Sequence, residues 1–189
     1  MQFDDIRSLK NNVRKELIEQ LKGQAPSLRG ERSRRIQEKL LSSDEFRSSK
    51  TVMTYISLPT EVETGYFNKR SLEMGKRMVV PFIDTKDRVI IASELESIDD
   101  LVKGPHGISV PKNGPRKVSL KEIDLIVVPG IAYDKNNMRL GRGKGYYDRF
   151  LARPELSSAK TIGPAFRFQI VDFLPSCPHD RPVSMVITD

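Results

Sequence analysis

The chain has 189 residues, 38% hydrophobic and 30% charged, which is enough apolar content for a packed core and too much for a disordered chain. Its 32 Lys and Arg against 25 Asp and Glu give +7, yet residues 1–50 hold 12 basic and 8 acidic side chains, so no basic arm exists; a surface of this kind attracts a phosphorylated metabolite as readily as nucleic acid. One cysteine (Cys177) and two histidines (His106, His179) exclude an internal disulfide and a Cys/His zinc cage, and the longest aliphatic run, Leu125–Val128, is far short of the ~20 residues of a membrane span.

Charges are mixed with apolar residues from Asp4 onward, unlike a secretory signal. A reducing, cytoplasmic setting is expected. Residues 4–22 read as an amphipathic helix, with Ile6, Leu9, Val13, Leu17 and Leu21 spaced by three or four and Gly23 as a stop. Lys10, Arg14 and Lys15 fall on or near the other side. A second helix follows Pro26 over residues 28–41. Its Glu31, Arg32, Arg34, Arg35, Glu38 and Lys39 alternate in sign and read as a solvated face.

The texture then changes. Residues 51–56 are β-branched and apolar and predict a strand. Thr64 is placed to cap a helix over 65–74 that Gly75 closes. Residues 78–83 and 89–92 read as strands, with Pro81 marking an edge position or a strand end. The Gly- and Pro-rich stretch 103–117 reads as an ordered loop or linker. Leu125–Val128 predicts a strand covered on both faces. A helix over 145–152 and strands at 161–162 and 183–187 complete a three-layer α/β pattern.

The chemistry concentrates in Asp134–Arg149, after the buried strand and before a helix. Gly141, Gly143 and Gly145 let the backbone approach a ligand closely, and Arg139, Arg142 and Lys144 surround them with positive charge. Ligands of open α/β sheets lie beyond the carboxyl ends of strands, and a helix start favours an anion. The stretch therefore reads as a phosphate cradle. It is not a Walker A loop, because Gly145 follows Lys144, and not a dinucleotide fingerprint, because Tyr146 stands where a small residue is needed. Tyr146, Tyr147 and Asp148 add stacking surface and a metal-ligand type.

Arg139-Leu140-Gly141-Arg142-Gly143-Lys144-Gly145-Tyr146-Tyr147-Asp148 resembles the signature of the 5-formyltetrahydrofolate cyclo-ligase family. The resemblance extends in order over nearly the whole chain. It includes Lys10 and Arg14, Tyr55 and Ser57, Glu61 to Thr64, Asp124 to Gly130, Asp134, Gly163, Phe166, Gln169, His179 and Asp180. It implies a three-layer α/β/α fold with a mostly parallel, Rossmann-like sheet, in one domain spanning 1–189 whose N-terminal helices (1–50) pack on the core (51–189). It also implies ATP- and Mg²⁺-dependent closure of 5-formyltetrahydrofolate to 5,10-methenyltetrahydrofolate, by phosphorylation of the formyl oxygen and attack of N10.

By resemblance, Lys10, Arg14 and Arg139 through Tyr147 bind nucleotide, including Leu140. Ile56, Glu61 and Arg142 through Tyr146 bind the folate. Lys144, Arg142 and Tyr146 act in catalysis, and Asp148 and Asp180 hold the metal. The chain is expected to act as a monomer without nucleic acid or membrane. Val110, Pro164 and Ser184 depart from the family pattern, Val110 within the segment from Gly107 to Pro111. The competing readings are a nucleic-acid-binding module, motivated by the charge, and a sugar-phosphate isomerase or CoA transferase of the same fold, which would not need ATP.

Overall fold

The computed structural model describes residues 3–104 and 109–189. The chain runs through α1 (Phe3–Gly23), α2 (Pro26–Ser42), α3 (Asp44–Ser48), β1 (Thr51–Met53), α4 (Gly65–Glu73), β2 (Arg77–Asp84), β3 (Val89–Leu95), β4 (Leu101–Lys103) and β5 (Ser109–Pro111). It continues through β6 (Leu125–Val127), β7 (Ala132–Asp134), β8 (Arg139–Leu140), α5 (Tyr146–Leu151), β9 (Lys160–Ala165), β10 (Ile170–Val171) and β11 (Met185–Thr188). The main sheet has the order β11-β9-β6-β1-β2-β3 and is parallel except for β3.

Strand alternation divides the core into two layers. Val52, Leu125 and Val127 pack with Leu17 and Leu21 of α1, Ile36 and Leu40 of α2, Phe46 of α3 and Phe67 of α4. Met53, Ile126 and Val128 face the other way, onto Phe150 of α5, Leu156, Val118 and Ile123. The central strands are therefore apolar on both faces, and the three-layer expectation is met.

Two prolines sit inside strands without breaking the sheet. On β2, the Arg77 N–H and the Val79 carbonyl bond toward β1, to the Lys50 carbonyl and the Thr54 N–H. Pro81 points the same way, but β1 pairs no further than Met53↔Val79. Pro164 repeats this on β9: the Ile162 carbonyl bonds the Val128 N–H, and β6 has ended where Pro164 would need a partner. Both residues lie past the end of their neighbour, where the missing N–H costs no ladder bond.

Several sequence expectations change. The first strand stops at Met53, and Tyr55 and Ile56 already belong to the turn leaving it. Thr64 does not cap α4; its hydroxyl donates 2.7 Å to the Tyr55 carbonyl and ties that turn instead. The 103–117 stretch contains β5, paired antiparallel with β4, and a bridge from Lys117 to Ser93; Gly107 and Ile108 of the resembling segment, like His106, lie outside the described residues. On α2, Arg34–Glu38 and Arg35–Glu31 form exposed i,i+4 pairs at 2.7 and 2.5 Å. Such pairs are a few tenths of a kcal/mol each and mark a solvated face. Ser184 is a knot between strands: it exchanges hydrogen bonds with Thr161 through both backbone N–H groups and both hydroxyls.

Tyr133 is fully buried, and its hydroxyl donates 2.7 Å to the Val128 carbonyl. Gly130 and Gly163 flank the ring so closely that a Cβ on Gly130 would lie 2.6 Å from Tyr133 Cζ, and one on Gly163 would meet Cε1. Gly163→Ala is accordingly expected to destabilise the fold by about 1–3 kcal/mol through overpacking, read as a lower urea midpoint. An unchanged midpoint would show that the ring has room to move.

Candidate active site

The sheet reverses its winding between β1 and β6. The chain leaves β1 toward β2 on one side and leaves β6 toward β9 and β11 on the other. Strand ends that diverge in this way open a crevice, the usual ligand site of an α/β sheet. The turn after β1 supplies Tyr55 to Glu61. The segment after β6 first makes the hairpin β7–β8, then the loop Gly141–Gly145, then α5.

Each glycine of the loop lies against a guanidinium. The Arg139 side chain is 2% exposed; it donates 2.7 Å to Asp148 Oδ1 and 3.2 Å to the Pro129 carbonyl, and a Cβ on Gly141 would lie 2.7 Å from its Nη1. Arg14 donates 2.9 Å to the Gly141 carbonyl and lies 3.4 Å from a Cβ position on Gly143, which has φ +93°. Arg149 donates 3.1 Å to the Lys144 carbonyl and lies 2.8 Å from a Cβ position on Gly145, which has φ +66°. Positive φ and crowding together demand glycine at the last two.

The residues between the glycines point to different places. Arg142 reaches the β1 turn, with Nη2 3.1 Å from Glu61 Oε1 and 3.3 Å from Thr60 Oγ1. Glu61 is held by its own turn, where Oε2 accepts the Leu58 N–H at 3.0 Å. Lys144 lines a cavity of about 410 Å³ with Gly143, Gly145, Asp148, Arg149, Ala152, His179 and Arg181. Among the described residues Lys144 has no ion-pair partner.

Helix α1 crosses this loop with a basic face. Lys10 is 8% exposed while Leu9 is 43% exposed, so the helix is rotated from the orientation its apolar spacing predicts. Lys10 and Arg14 lie on the same stripe as Leu17 and Leu21, one end of which faces the core and the other the site. Burial draws the Arg14 pKa down, opposed by the fields of Asp180 and Asp148. Lys10 pairs with Asp180 Oδ2, which also accepts the Cys177 N–H at 2.5 Å. Burial pushes the Asp180 carboxyl up, but the Lys10 and Cys177 hydrogen bonds outweigh it and hold the carboxyl below its usual range.

The two tyrosines after the loop differ. Tyr146 lies under the Arg149 guanidinium, 5.4 Å from its ring centroid. Tyr147 has its hydroxyl buried with no protein partner, and Arg139 Nε is in the same state. Burial, with the Glu61 charge adding to it, pushes the Tyr147 phenol well up, so it stays protonated. Ile56 packs against the core cluster that includes Tyr55 and Val62, so the structure gives it an apolar wall beside Glu61. Leu140 is buried in the same cluster and its backbone pairs with Ala132, so only its main chain can meet a ligand.

Residues 6–189 match the 5-formyltetrahydrofolate cyclo-ligase family. This chain belongs to that family. A 5-formyltetrahydrofolate cyclo-ligase of Mus musculus is 30% identical over 191 residues, covering 96% of this chain and 94% of its own. Among solved structures, a 5,10-methenyltetrahydrofolate synthetase of Aquifex aeolicus is 32% identical with a TM-score of 0.83, over 95% of this chain and 89% of its own. One from Mycoplasma pneumoniae is 27% identical with a TM-score of 0.76, over 95% and 98%.

Membership implies ATP use; Asp148 and Asp180 are the carboxylates that the sequence resemblance implies at a metal. The described residues hold no cluster of three or more His, Cys, Asp or Glu suited to a metal. Mg²⁺ needs fewer protein ligands, because it keeps waters and binds phosphates. Asp148 fits that role: its side chain is 17% exposed and faces the cavity, although Oδ1 is engaged by Arg139. Asp180 is placed less well: its Oδ2 is engaged by Lys10 and the Cys177 N–H, and the cavity is lined by its neighbours His179 and Arg181. Sequence reasoning gave no part to Arg149 or Arg181, both in the cavity wall. Arg149 stands four residues after Gly145, one turn along α5, and that spacing was the available signal. Asp134, which matches the family pattern, is structural: its Oδ1 accepts the Asn136 and Met138 N–H groups and its Oδ2 that of Leu174, at 2.8 to 3.0 Å.

Because the Asp180 carboxyl titrates lower when folded than when unfolded, its pairing stabilises the protein above the ordinary carboxylate pKa and that contribution is lost as pH falls through the folded value. Asp180→Asn is therefore expected to be less stable than the parent near pH 7, with the gap narrower at about pH 3, below the ordinary carboxylate range. Urea unfolding at the two pH values tests this, and an equal gap at both would show that the Lys10 contact contributes no charge-dependent stability.

Proposed function

We propose that the loop and the β1 turn divide the reaction between two sides: ATP phosphates in the cavity lined by Lys144, the folate against Glu61 and Ile56. The chain is a 5-formyltetrahydrofolate cyclo-ligase, a ligase that makes 5,10-methenyltetrahydrofolate. The observation supporting the division is that two residues of one short glycine loop reach different places, Arg142 the Glu61 carboxylate and Lys144 the cavity.

In this reading the formyl oxygen of the substrate attacks the γ-phosphorus and ADP leaves, which gives an N5-iminium phosphate. The lone pair of N10 then closes the five-membered ring, N10 loses its proton, and phosphate departs with the former formyl oxygen. Phosphoryl transfer needs positioning and charge neutralisation more than a protein nucleophile. Lys144, Arg142 and the Gly143 and Gly145 backbone supply cations and close approach at the transferred group. Lys10 and Arg14 add charge from α1, and Arg139 fixes the start of the loop. Mg²⁺, when bound at Asp148, neutralises phosphate charge, with Asp180 joining if Lys10 moves to phosphate.

Glu61 suits the N–H donors of a pterin, and Arg142 must yield that carboxylate when the ring arrives. Tyr146 offers a face for a flat ring, and the buried Tyr147 hydroxyl has no protein partner for its donor. The chain is proposed to act as a monomer. Among the described residues no helix is long and apolar enough to cross a membrane. With a single thiol and no disulfide to form, a cytoplasmic setting suits the chain.

The purified protein is expected to convert 5-formyltetrahydrofolate to the methenyl product, followed by its near-ultraviolet absorbance, only when ATP and Mg²⁺ are both present. Turnover without ATP would exclude the phosphorylated intermediate. Lys144→Ala is expected to lower kcat about 10²–10³-fold with an unchanged melting temperature, since the side chain is exposed. Glu61→Gln is expected to weaken folate binding much more than ATP binding, because an amide puts a donor where the pterin needs an acceptor; equal losses for both ligands would show that Glu61 only shapes the turn. Asp148→Asn is expected to raise the Mg²⁺ concentration needed for half-maximal rate, and a lower melting temperature with unchanged Mg²⁺ dependence would restrict Asp148 to holding Arg139.

A further inference from the structure

Arg149 has no part in the chemistry above, yet its side chain joins two separate stretches of main chain at the cavity. Its guanidinium bridges two backbone carbonyls that are far apart in sequence: Nη1 donates 3.1 Å to Lys144 and Nη2 donates 2.9 Å to Arg88. The same group covers the Tyr146 ring and faces the cavity. Arg88 is at the tip of the β2–β3 hairpin, with φ +54°. That tip is itself organised, because Asp84 Oδ1 accepts the Lys86 and Asp87 N–H groups at 2.9 and 3.2 Å. A defined turn thus presents its last carbonyl to Arg149.

We propose that Arg149 is a positioning residue for the nucleotide: it fixes the main chain that carries Lys144 and ties that chain to the β2–β3 tip. This rests on the reading that the cavity takes the ATP phosphates. Two glycines flank Lys144, and glycine leaves the backbone its widest freedom. With the Lys144 carbonyl unheld, the ammonium has no fixed origin. Arg149 removes that freedom through a fork of rigid geometry, which can serve two carbonyls at once; a lysine offers a single point charge on a flexible stem. Gly145 reports the same constraint from the other side, since any Cβ there would strike Arg149 Nη1. The charge of Arg149 also stays in the cavity wall, next to Arg181.

The test is steady-state kinetics on Arg149→Ala and Arg149→Lys, with ATP varied at saturating folate and folate varied at saturating ATP. Arg149→Ala is expected to lose about 10–100-fold in kcat/KM for ATP, the scale of a small misplacement of a reacting group, with the folate KM little changed. Arg149→Lys is expected to recover only a minor part of the loss. Amide hydrogen exchange over residues 85–89 is expected to speed up in both variants, while β1 and β6 and the melting temperature stay as in the parent. A lysine variant with parental kinetics would overturn the proposal, because charge alone would then account for the residue. So would an alanine variant with parental ATP kinetics. If Lys144→Ala is impaired in the same assay, that second result leaves the phosphate reading standing and removes only Arg149; if Lys144→Ala is also parental, the phosphate reading itself fails.

Discussion

The glycine loop is laid over three arginines, and that packing is the constraint on which the site depends. Gly141, Gly143 and Gly145 lie against Arg139, Arg14 and Arg149. These arginines come from the strand before the loop, a helix near the start of the chain, and the helix after the loop. Two of them also bond loop carbonyls, at Gly141 and Lys144. A loop with three glycines in five residues would ordinarily lose much entropy on ordering. Here the order comes from outside, from guanidiniums that can approach only because the Cβ atoms are missing.

The innermost of these contacts is the most sensitive. Arg139 is buried while Asp148 borders the cavity; breaking a fully buried pair by removing one partner typically costs about 3–5 kcal/mol, and this half-buried one costs less. The surface pairs on α2 carry no such weight. The same pair ties the strand β8 to the helix α5, so the loop between them is closed at both ends. Asp148 therefore holds Arg139 with one oxygen while its side chain borders the cavity.

Much of this was legible in the sequence. The β-branched runs, the both-sided apolar strand at 125–127 and the glycine–basic stretch gave the layer order and the place of the site. What was not legible came from tertiary contacts. Pro81 read as an edge signal because a sequence cannot show that β1 stops two residues short of it. Leu9 and Lys10 exchange their expected exposure because Asp180, 170 residues away, supplies a partner that makes burial of an ammonium tolerable. Thr64 has the residue type of a helix cap but finds a nearer acceptor in the Tyr55 carbonyl. Arg149 and Arg181 look like solubilising charges until folding sets them in one wall.

The Lys10–Asp180 contact also orders events in time. Synthesis at about 5–20 residues per second places roughly ten to thirty seconds between the two residues. Over that interval α1 and α2 can form by local contacts, but Lys10 has no carboxylate to receive it, and β11 has not yet arrived beside β9. The nascent chain must hold a basic, half-apolar helix in waiting while the sheet is assembled. The Lys10 end of α1 thus finds its partner only after the chain has been made as far as Asp180.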